Sequence, residues 1–283
     1  MLHSTRDLES YAIGATDGDI GSVYDLYFDD RTWTVRYIVV DTGNWLPGRR
    51  VLISPLSVQE PSWSLQRLGV GLTKGQVKDS PDIDTAKPVS RQHEVALAIY
   101  YGLAPYWEGP YRWGAVPYPF APVTPGHLDT PVDPETREIL REEGFHRLGP
   151  EHFERRLVEQ EGADPHLRSA REVMGYYIQA ADGEIGHAED FLVDDRSWAI
   201  RYMIADTRNW WPGKKVLVSP EWIGDVNWMD SKVHVNLTRD EIRNAPEYDP
   251  SRPLEREHEL QLHEHYGRPK YWEREERDRD EAA

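Results

Sequence analysis

The sequence contains no cysteine, and this single absence removes several kinds of chemistry. Disulfides, thiolate metal sites and thiol nucleophiles all require cysteine, so none of them can operate in this chain. The sequence also has no apolar run close to the roughly 18 residues that a membrane-spanning helix needs, and its first residues show no signal-peptide core. We therefore expect a cytoplasmic protein without a transmembrane segment.

Basic residues are scarce relative to acidic ones. The chain has 33 Lys and Arg residues against 50 Asp and Glu residues, which gives a formal net charge of −17. Because nucleic acids and anionic membrane surfaces are negative themselves, this excess disfavours non-specific binding to either. The G-x-S-x-G, Walker and Rossmann patterns are absent as well. We expect a protein that is not an enzyme and that needs no cofactor.

An internal repeat dominates the sequence. Adding 165 to a position between 10 and 107 gives its counterpart without a gap. The matched pairs are DGDIG at 17–21 with DGEIG at 182–186, DDRTWTVRYIVVD at 29–41 with DDRSWAIRYMIAD at 194–206, DTGNWLPG at 41–48 with DTRNWWPG at 206–213, and VLISP at 51–55 with VLVSP at 216–220. Unrelated segments would not match at a single offset over so many positions, so the repeat indicates an internal duplication.

Each copy has the pattern of short β-strands. Trp33, Val35, Tyr37 and Val39 alternate with other residues at period two, which predicts a strand with one buried face. Six strands are predicted in the first copy, at 11–15, 19–28, 32–41, 50–53, 56–60 and 64–71. A small closed or nearly closed barrel suits so many short strands, because closure removes exposed edges. The predicted fold is therefore mainly β with short helices, in two small antiparallel β-barrels.

The chain divides into six predicted segments. Each barrel is followed by a helical turn that begins at Thr73 or Thr238 and by a short helix that ends at Gly102 or Gly267. The segments are barrel 1 at 1–80, a trailing helix at 81–104, a Pro- and aromatic-rich linker at 105–133, a helical connector at 134–167, barrel 2 at 168–245, and a trailing helix with a charged tail at 246–283.

These motifs, present twice in the same order, resemble the PRC-barrel domain family. The family includes the cytoplasmic domain of the photosynthetic reaction-centre H subunit, which packs against membrane subunits, and the C-terminal domain of a ribosome maturation factor, which binds a small-subunit protein. We expect this chain to have neither the transmembrane helix of the first nor the N-terminal RNA-handling domain of the second, so neither function transfers whole. What the resemblance implies is the shared mode, a barrel that serves as a protein-docking surface.

Two loops combine large aromatic residues, a Pro-Gly turn and two cations. Trp and Arg are common in binding hot spots, so these loops are candidate docking sites. The alternative is that the tryptophans fold back and plug the barrels. The candidate residues are Trp45, Arg49 and Arg50 in the first loop, and Trp210, Trp211, Lys214 and Lys215 in the second. In the linker, Trp107 and Trp113 belong to an aromatic-proline stretch that cannot form a core alone. It must pack on a barrel, on a partner or on another copy of the chain, so both residues are candidate interaction or oligomer contacts.

A cluster of potential metal ligands lies near the C-terminus. His258, Glu259, His263 and His265 share faces of a predicted helix, which could hold Zn²⁺. The spacing is not H-E-x-x-H, and the first copy retains only the first two residues, so a polar helix face is the competing interpretation.

Acidic residues also recur in both copies, namely Asp17, Asp25, Asp41, Asp182, Asp190 and Asp206. Paired carboxylates can serve acid–base chemistry or Ca²⁺ binding. Turns and backbone hydrogen bonds explain these positions more simply, because an oxygen-rich ligand spacing is missing.

The sequence thus predicts a non-enzymatic adaptor or scaffold that docks on an unknown protein partner or associates with itself as a dimer. Peripheral association with the cytoplasmic membrane face fits the resemblance to the H subunit. The alternatives are a factor linked to RNA or ribosome assembly, and a metal-binding sensor that uses the 258–265 cluster.

Overall fold

The computed structural model describes residues 1–81, 89–103, 106–107, 111–114, 118–119, 166–207 and 214–275. The contacts between residues divide the chain into two compact units. The C-terminal unit consists of Met1–Asp7, Ala170–Asp195 and Ala199–Ala283, and the N-terminal unit consists of Leu8–Ser169 and Arg196–Trp198. The candidate residues Trp210 and Trp211 lie outside the described residues, as do most of the predicted linker and of the predicted helical connector.

Short strands make up most of the regular secondary structure in the described residues, so the fold is mainly β as predicted. The first eight are β1 (Leu2–Ser4), β2 (Ala12–Ala15), β3 (Gly18–Asp29), β4 (Thr34–Asp41), β5 (Arg50–Ile53), β6 (Val58–Ser62), β7 (Arg67–Val70) and β8 (Leu167–Ser169). The others are β9 (Tyr177–Ala180), β10 (Gly183–Asp194), β11 (Ile200–Asp206), β12 (Lys215–Val218), β13 (Ile223–Asn227) and β14 (Lys232–Val235).

Each unit contains one sheet, and the two sheets have the same strand order. In the N-terminal unit the order is β5-β4-β3-β2-β7-β6, with β8 beside β3. In the C-terminal unit it is β12-β11-β10-β9-β14-β13, with β1 beside β10. Strands that occupy the same place in the two sheets are 165 residues apart, as the sequence repeat predicts.

The expectation of closed, wholly antiparallel barrels is wrong. Within the described residues each sheet is an open path, and β2 with β7 and β9 with β14 run parallel. The strand β5 ends at Ile53 because Ser54 caps a 3-10 turn that begins at Pro55, and proline has no N–H to continue the ladder. Ser219 and Pro220 end β12 in the same way.

The helices are short, and several of them were predicted from the sequence. They are α1 (Thr5–Leu8), α2 (Lys74–Lys78), α3 (Arg91–Tyr101), α4 (Ala170–Val173), α5 (Arg239–Asn244) and α6 (Arg256–Tyr266). Thr73 and Thr238 each form a capping box with the residue three positions later, which confirms the helix starts. Gly267 ends α6 in the left-handed conformation, as predicted.

Two strands escaped the sequence analysis, and both belong to the unit formed mainly by the opposite half of the chain. β1 pairs antiparallel with β10, so that Leu2 lies opposite Asp194. β8 pairs antiparallel with β3, so that Leu167 lies opposite Asp29. The predicted barrel 1 at 1–80 therefore differs from the N-terminal unit at its start, and the boundary predicted at 168 falls within β8.

Candidate functional site

The first Trp loop is held against its own sheet by Trp45. The Trp45 side chain is half-buried, and its indole N–H donates to the carbonyl oxygen of Ile20 in β3 at 2.6 Å. The ammonium nitrogen of Lys74 lies 4.9 Å from the centre of the Trp45 ring, where the cation is attracted to the ring face. The indole therefore fixes the loop to β3.

The two cations of this loop are also engaged within the N-terminal unit. The Arg49 guanidinium donates to the carbonyl oxygens of Lys78 and Ser80, at the end of α2 and just beyond it. The Arg50 guanidinium carbon lies 3.5 Å from the centre of the Tyr24 ring. Both side chains thus tie the loop to its surroundings.

The part of the loop that remains exposed is its tip. Asn44, Pro47 and Gly48 are exposed, whereas Thr42 is buried at the base. The Thr42 hydroxyl lies 2.7 Å from the carbonyl oxygen of Leu46 and makes a further contact with the loop backbone. The loop therefore has an exposed tip, while hydrogen bonds hold its base in place.

The cations of the second loop are engaged inside the C-terminal unit. The Lys214 ammonium donates to the carbonyl oxygen of Arg243 at 2.8 Å. The Lys215 ammonium forms an ion pair with Glu189 at 2.9 Å.

The described aromatic residues of the predicted linker pack on the N-terminal unit. The indole N–H of Trp113, which is 2% exposed, donates to the carbonyl oxygen of Ser197 at 2.9 Å. The Arg36 guanidinium carbon lies 3.9 Å from the Tyr106 ring centre and 5.0 Å from that of Trp113. Trp107 lies 4.4 Å from the guanidinium carbon of Arg91. These side chains hold the segment after α3 to β4.

A buried carboxyl group lies at the centre of each unit's helix-to-sheet contact. In the N-terminal unit, Glu94 on α3 accepts from the Tyr106 hydroxyl at 2.7 Å and forms an ion pair with Arg91 at 2.7 Å. Tyr37 of β4 also hydrogen-bonds to this carboxyl group. We name Tyr37, Arg91, Glu94 and Tyr106 the Glu94 cluster.

The C-terminal unit repeats this arrangement at the same offset. Glu259 on α6 accepts from Tyr202 at 3.1 Å and from Tyr271 at 2.9 Å, and it pairs with Arg256 at 2.9 Å. His263 adds a group that the first unit lacks, because its Nε2 lies 3.1 Å from the Tyr202 hydroxyl oxygen. We name these five residues the Glu259 cluster.

Burial is the largest cause of the pKa shifts of Glu94, Tyr202 and His263. Glu94 has no exposed surface, and desolvation raises its pKa from 4.5 to about 7, although the nearby positive charge of Arg91 acts in the opposite direction. Desolvation also raises the pKa of Tyr202 and lowers the pKa of His263. A buried acid that titrates near neutrality makes the contact between α3 and β4 sensitive to pH.

The four weak metal candidates do not converge. Glu259 and His263 meet at the Tyr202 hydroxyl, while His265 Nε2 lies 2.8 Å from the carbonyl oxygen of Glu241. In the part of the chain that the structure describes, no group of three or more His, Cys, Asp or Glu side chains is placed to hold a metal ion. His258, the remaining candidate, stands at the start of α6.

The recurring aspartates have structural roles, and two of these roles were missed. Asp17 and Asp182 accept the backbone N–H groups of Lys74 and Arg239 at 2.7 and 2.8 Å, and so fix α2 and α5. Asp41 accepts the N–H of Gly43 within the loop. Asp206 is buried, and its carboxylate lies 3.8 Å from His187 Nε2.

Asp25 and Asp190 instead hold the two strands that the sequence analysis missed. Asp25 accepts the Ser169 hydroxyl of β8 at 2.6 Å, and Asp190 accepts the Ser4 hydroxyl of β1. A signal for these strands was present in the sequence, because Leu2 and Ser4 recur 165 residues later as Leu167 and Ser169.

The strand order, the two capped turns and the trailing helices define a small β-rich module. Residues 4–61, from the last residue of β1 into β6, match the family model of the PRC-barrel domain. The chain therefore carries a PRC-barrel domain, as its motifs predicted. No curated protein is similar enough to the chain to count as a match. Within the described residues, no helix is both long enough and apolar enough to cross a membrane.

Proposed function

We propose that this protein is a non-enzymatic adaptor that docks on another protein, with two PRC-barrel modules that arose by duplication. The observation that carries the proposal is the match of residues 4–61 to the PRC-barrel domain, a kind of module that suggests protein interaction. The second module rests on the common strand order of the two sheets and on the shared offset of their strands.

The exposed tip of the first Trp loop is the docking surface in this proposal. Trp45 and Arg50 bind the loop to β3, and Arg49 binds it to the end of α2, so the tip is held in place before a partner binds. Preorganisation reduces the conformational entropy that is lost on binding. Asn44 and Pro47 supply the contact with the partner, while the tryptophan and the arginines support it from behind.

The proposed setting is the cytoplasm, including the cytoplasmic face of a membrane. The net charge of −17 favours a protein partner over nucleic acid, because a phosphate backbone repels an acidic surface. Catalysis has no place in the proposal, since the buried carboxyl groups of both clusters serve to join helix and sheet.

The test compares two variants of the full chain in a pull-down from native lysate of the source cells, split into soluble and membrane fractions. The double variant Asn44→Ala/Pro47→Ala changes the tip and leaves Trp45 in place. Leu65→Ala is the matched control, because Leu65 is 75% exposed and belongs to a 3-10 turn outside the loop. We expect a stoichiometric protein partner that the control retains and the tip variant loses, while both variants keep the unfolding midpoint of the parent.

Other outcomes would overturn the adaptor proposal. A partner that binds both variants equally would exclude the tip as the docking surface. Recovery of ribosomal particles, or of RNA that resists moderate salt, would support the alternative of an RNA-linked assembly factor. Stoichiometric zinc in the purified protein would support a metal sensor.

A further inference from the structure

Each sheet receives one strand from the opposite half of the sequence. The C-terminal unit takes β1, which pairs with β10 through the register Leu2–Asp194, and the N-terminal unit takes β8, which pairs with β3. The chain leaves β1 and continues into the N-terminal unit at Leu8, and it leaves β8 and continues into the C-terminal unit at Ala170. Residues before 120 and residues from 166 onward thus each contribute to both units.

Two carboxylates anchor β1 in its place beside β10. Asp190, which is 5% exposed, accepts the hydroxyl groups of Ser4 and Thr5 and the backbone N–H of Arg6. Asp195 lies 3.7 Å from His3 Nε2. A buried carboxyl group is costly unless it is hydrogen-bonded, so these donors make β1 a specific neighbour of β10.

The site of β8 repeats the same chemistry. Asp25 accepts the Ser169 hydroxyl at 2.6 Å, and Asp30 binds His166 at 2.9 Å and Arg168 at 3.0 Å. These two aspartates stand 165 positions before Asp190 and Asp195. Each of the two strands is therefore held by two aspartates, and the two pairs of aspartates occupy equivalent positions in the sequence repeat.

Covalently, the described residues before 120 and those from 166 onward are joined through one segment, residues 120–165. Fully extended, a segment of this length reaches on the order of 150 Å. The contacts of β1 with β10 and of β8 with β3 stay the same whether residues 1–119 and 166–283 come from one chain or from two. Exchange between copies therefore costs no contact, which makes domain swapping a low-cost route to a dimer.

We propose that two copies of this chain form a dimer by exchanging β1 and β8, so that β1 of one copy pairs with β10 of the other. The balance between the monomer and the dimer depends on protein concentration, because the strand of the same chain and that of a second copy compete for one site. The proposed dimer does not depend on docking through the Trp loop, so the dimer and the adaptor function can each be refuted without the other.

A designed disulfide reports directly which chain supplies β1. The chain has no cysteine of its own, so a Leu2→Cys/Asp194→Cys variant carries only the designed pair. The two residues face each other in the antiparallel register and are half-buried, and the separation of opposed Cα atoms in such a pair suits a disulfide. The matched control is Asp225→Cys/His234→Cys, a facing pair of β13 and β14 that always belongs to one chain.

The full-length variants are refolded over a range of protein concentrations, oxidised and separated without reductant. We expect the Leu2/Asp194 pair to give a covalent species of twice the chain mass, in a fraction that rises with concentration, while the control pair gives only cross-linked monomer. A Leu2/Asp194 disulfide confined to single chains at every concentration would overturn the proposal. So would thiols that stay free in the folded variant, because β1 would then not lie on any β10. Partner capture by such an unexchanged monomer would leave the adaptor function intact.

Discussion

At the scale of the residue, the D-G-x-I-G motif is explained by the second of its glycines. Gly21 has φ of 140°, and a Cβ atom at this position would lie 1.9 Å from the carbonyl oxygen of Asp41. Gly186 is in the same situation against Asp206, at 2.1 Å. The motif therefore repeats because β3 and β10 each approach a neighbouring backbone too closely for any side chain.

Gly21→Ala is expected to lower the free energy of unfolding by about 3 kcal/mol, since it adds a backbone clash to an unfavourable φ. Gly43→Ala is the control, because Gly43 also has positive φ, 58°, but a Cβ atom added there would lie more than 4 Å from every atom of the described residues that is not a chain neighbour. The control is expected to cost about 1 kcal/mol. Urea unfolding followed by tryptophan fluorescence measures both, and equal costs would refute the close approach as the reason.

At the scale of the element, α3 is attached to its sheet through the buried carboxyl group of Glu94, whose pKa is raised. Desolvation raises the pKa of Glu94 to about 7 from 4.5, and burial also raises the pKa of Tyr106, which donates to it. A pKa that is higher in the folded state than in the unfolded state stabilises the protein below pH 4.5. This contribution is lost as the pH rises towards 7.

We therefore expect the free energy of unfolding of the parent protein to fall with pH between about 4.5 and 7, by about 3 kcal/mol from this group. In Glu94→Gln, which keeps the shape but cannot titrate, this part of the slope is absent. Urea titrations at pH 5 and pH 7 on both proteins provide the comparison. Parallel pH profiles would show that Glu94 does not titrate in this range.

At the scale of the whole molecule, the exchanged strands connect distant parts of the sequence. Residues 1–7 belong to the C-terminal unit, where β1 pairs with β10 and where Ser4 and Thr5 donate to Asp190. Removal of the first residues should therefore destabilise β10, which lies almost two hundred residues further along the chain.

Deletion of residues 1–7 is expected to accelerate amide exchange in β10 by at least about tenfold, the factor that a loss of about 1.4 kcal/mol produces. The strand β3 keeps β8 as its neighbour and serves as the internal control. Hydrogen exchange followed by mass spectrometry on peptides from β3 and β10 distinguishes them. A stronger effect in β3 than in β10 would contradict the strand exchange.

Much of the fold could be read from the sequence because its signals are local. The period-two pattern from Trp33 to Val39 falls in and just before β4, and Thr73 and Thr238 begin helices by capping their own backbone. The buried clusters were only partly visible in the sequence. His93-Glu94 and Tyr106-Trp107 both recur 165 positions later, but nothing in their spacing brings Glu94 to Tyr37. Such contacts join residues that are far apart in the chain.

Three features could be read from the sequence alone: the mainly β character, the repeat at an offset of 165 residues, and the PRC-barrel domain matched at residues 4–61. Periodicity, capping and turn residues act within a few positions, so they leave a readable pattern. The three-dimensional structure was needed to show that β1 and β8 join the sheets of the opposite halves, and that within the described residues each sheet is an open path with one parallel pair. Strands of three residues are too short to show a period, and their partners are chosen by long-range hydrogen bonds to Asp190 and Asp25.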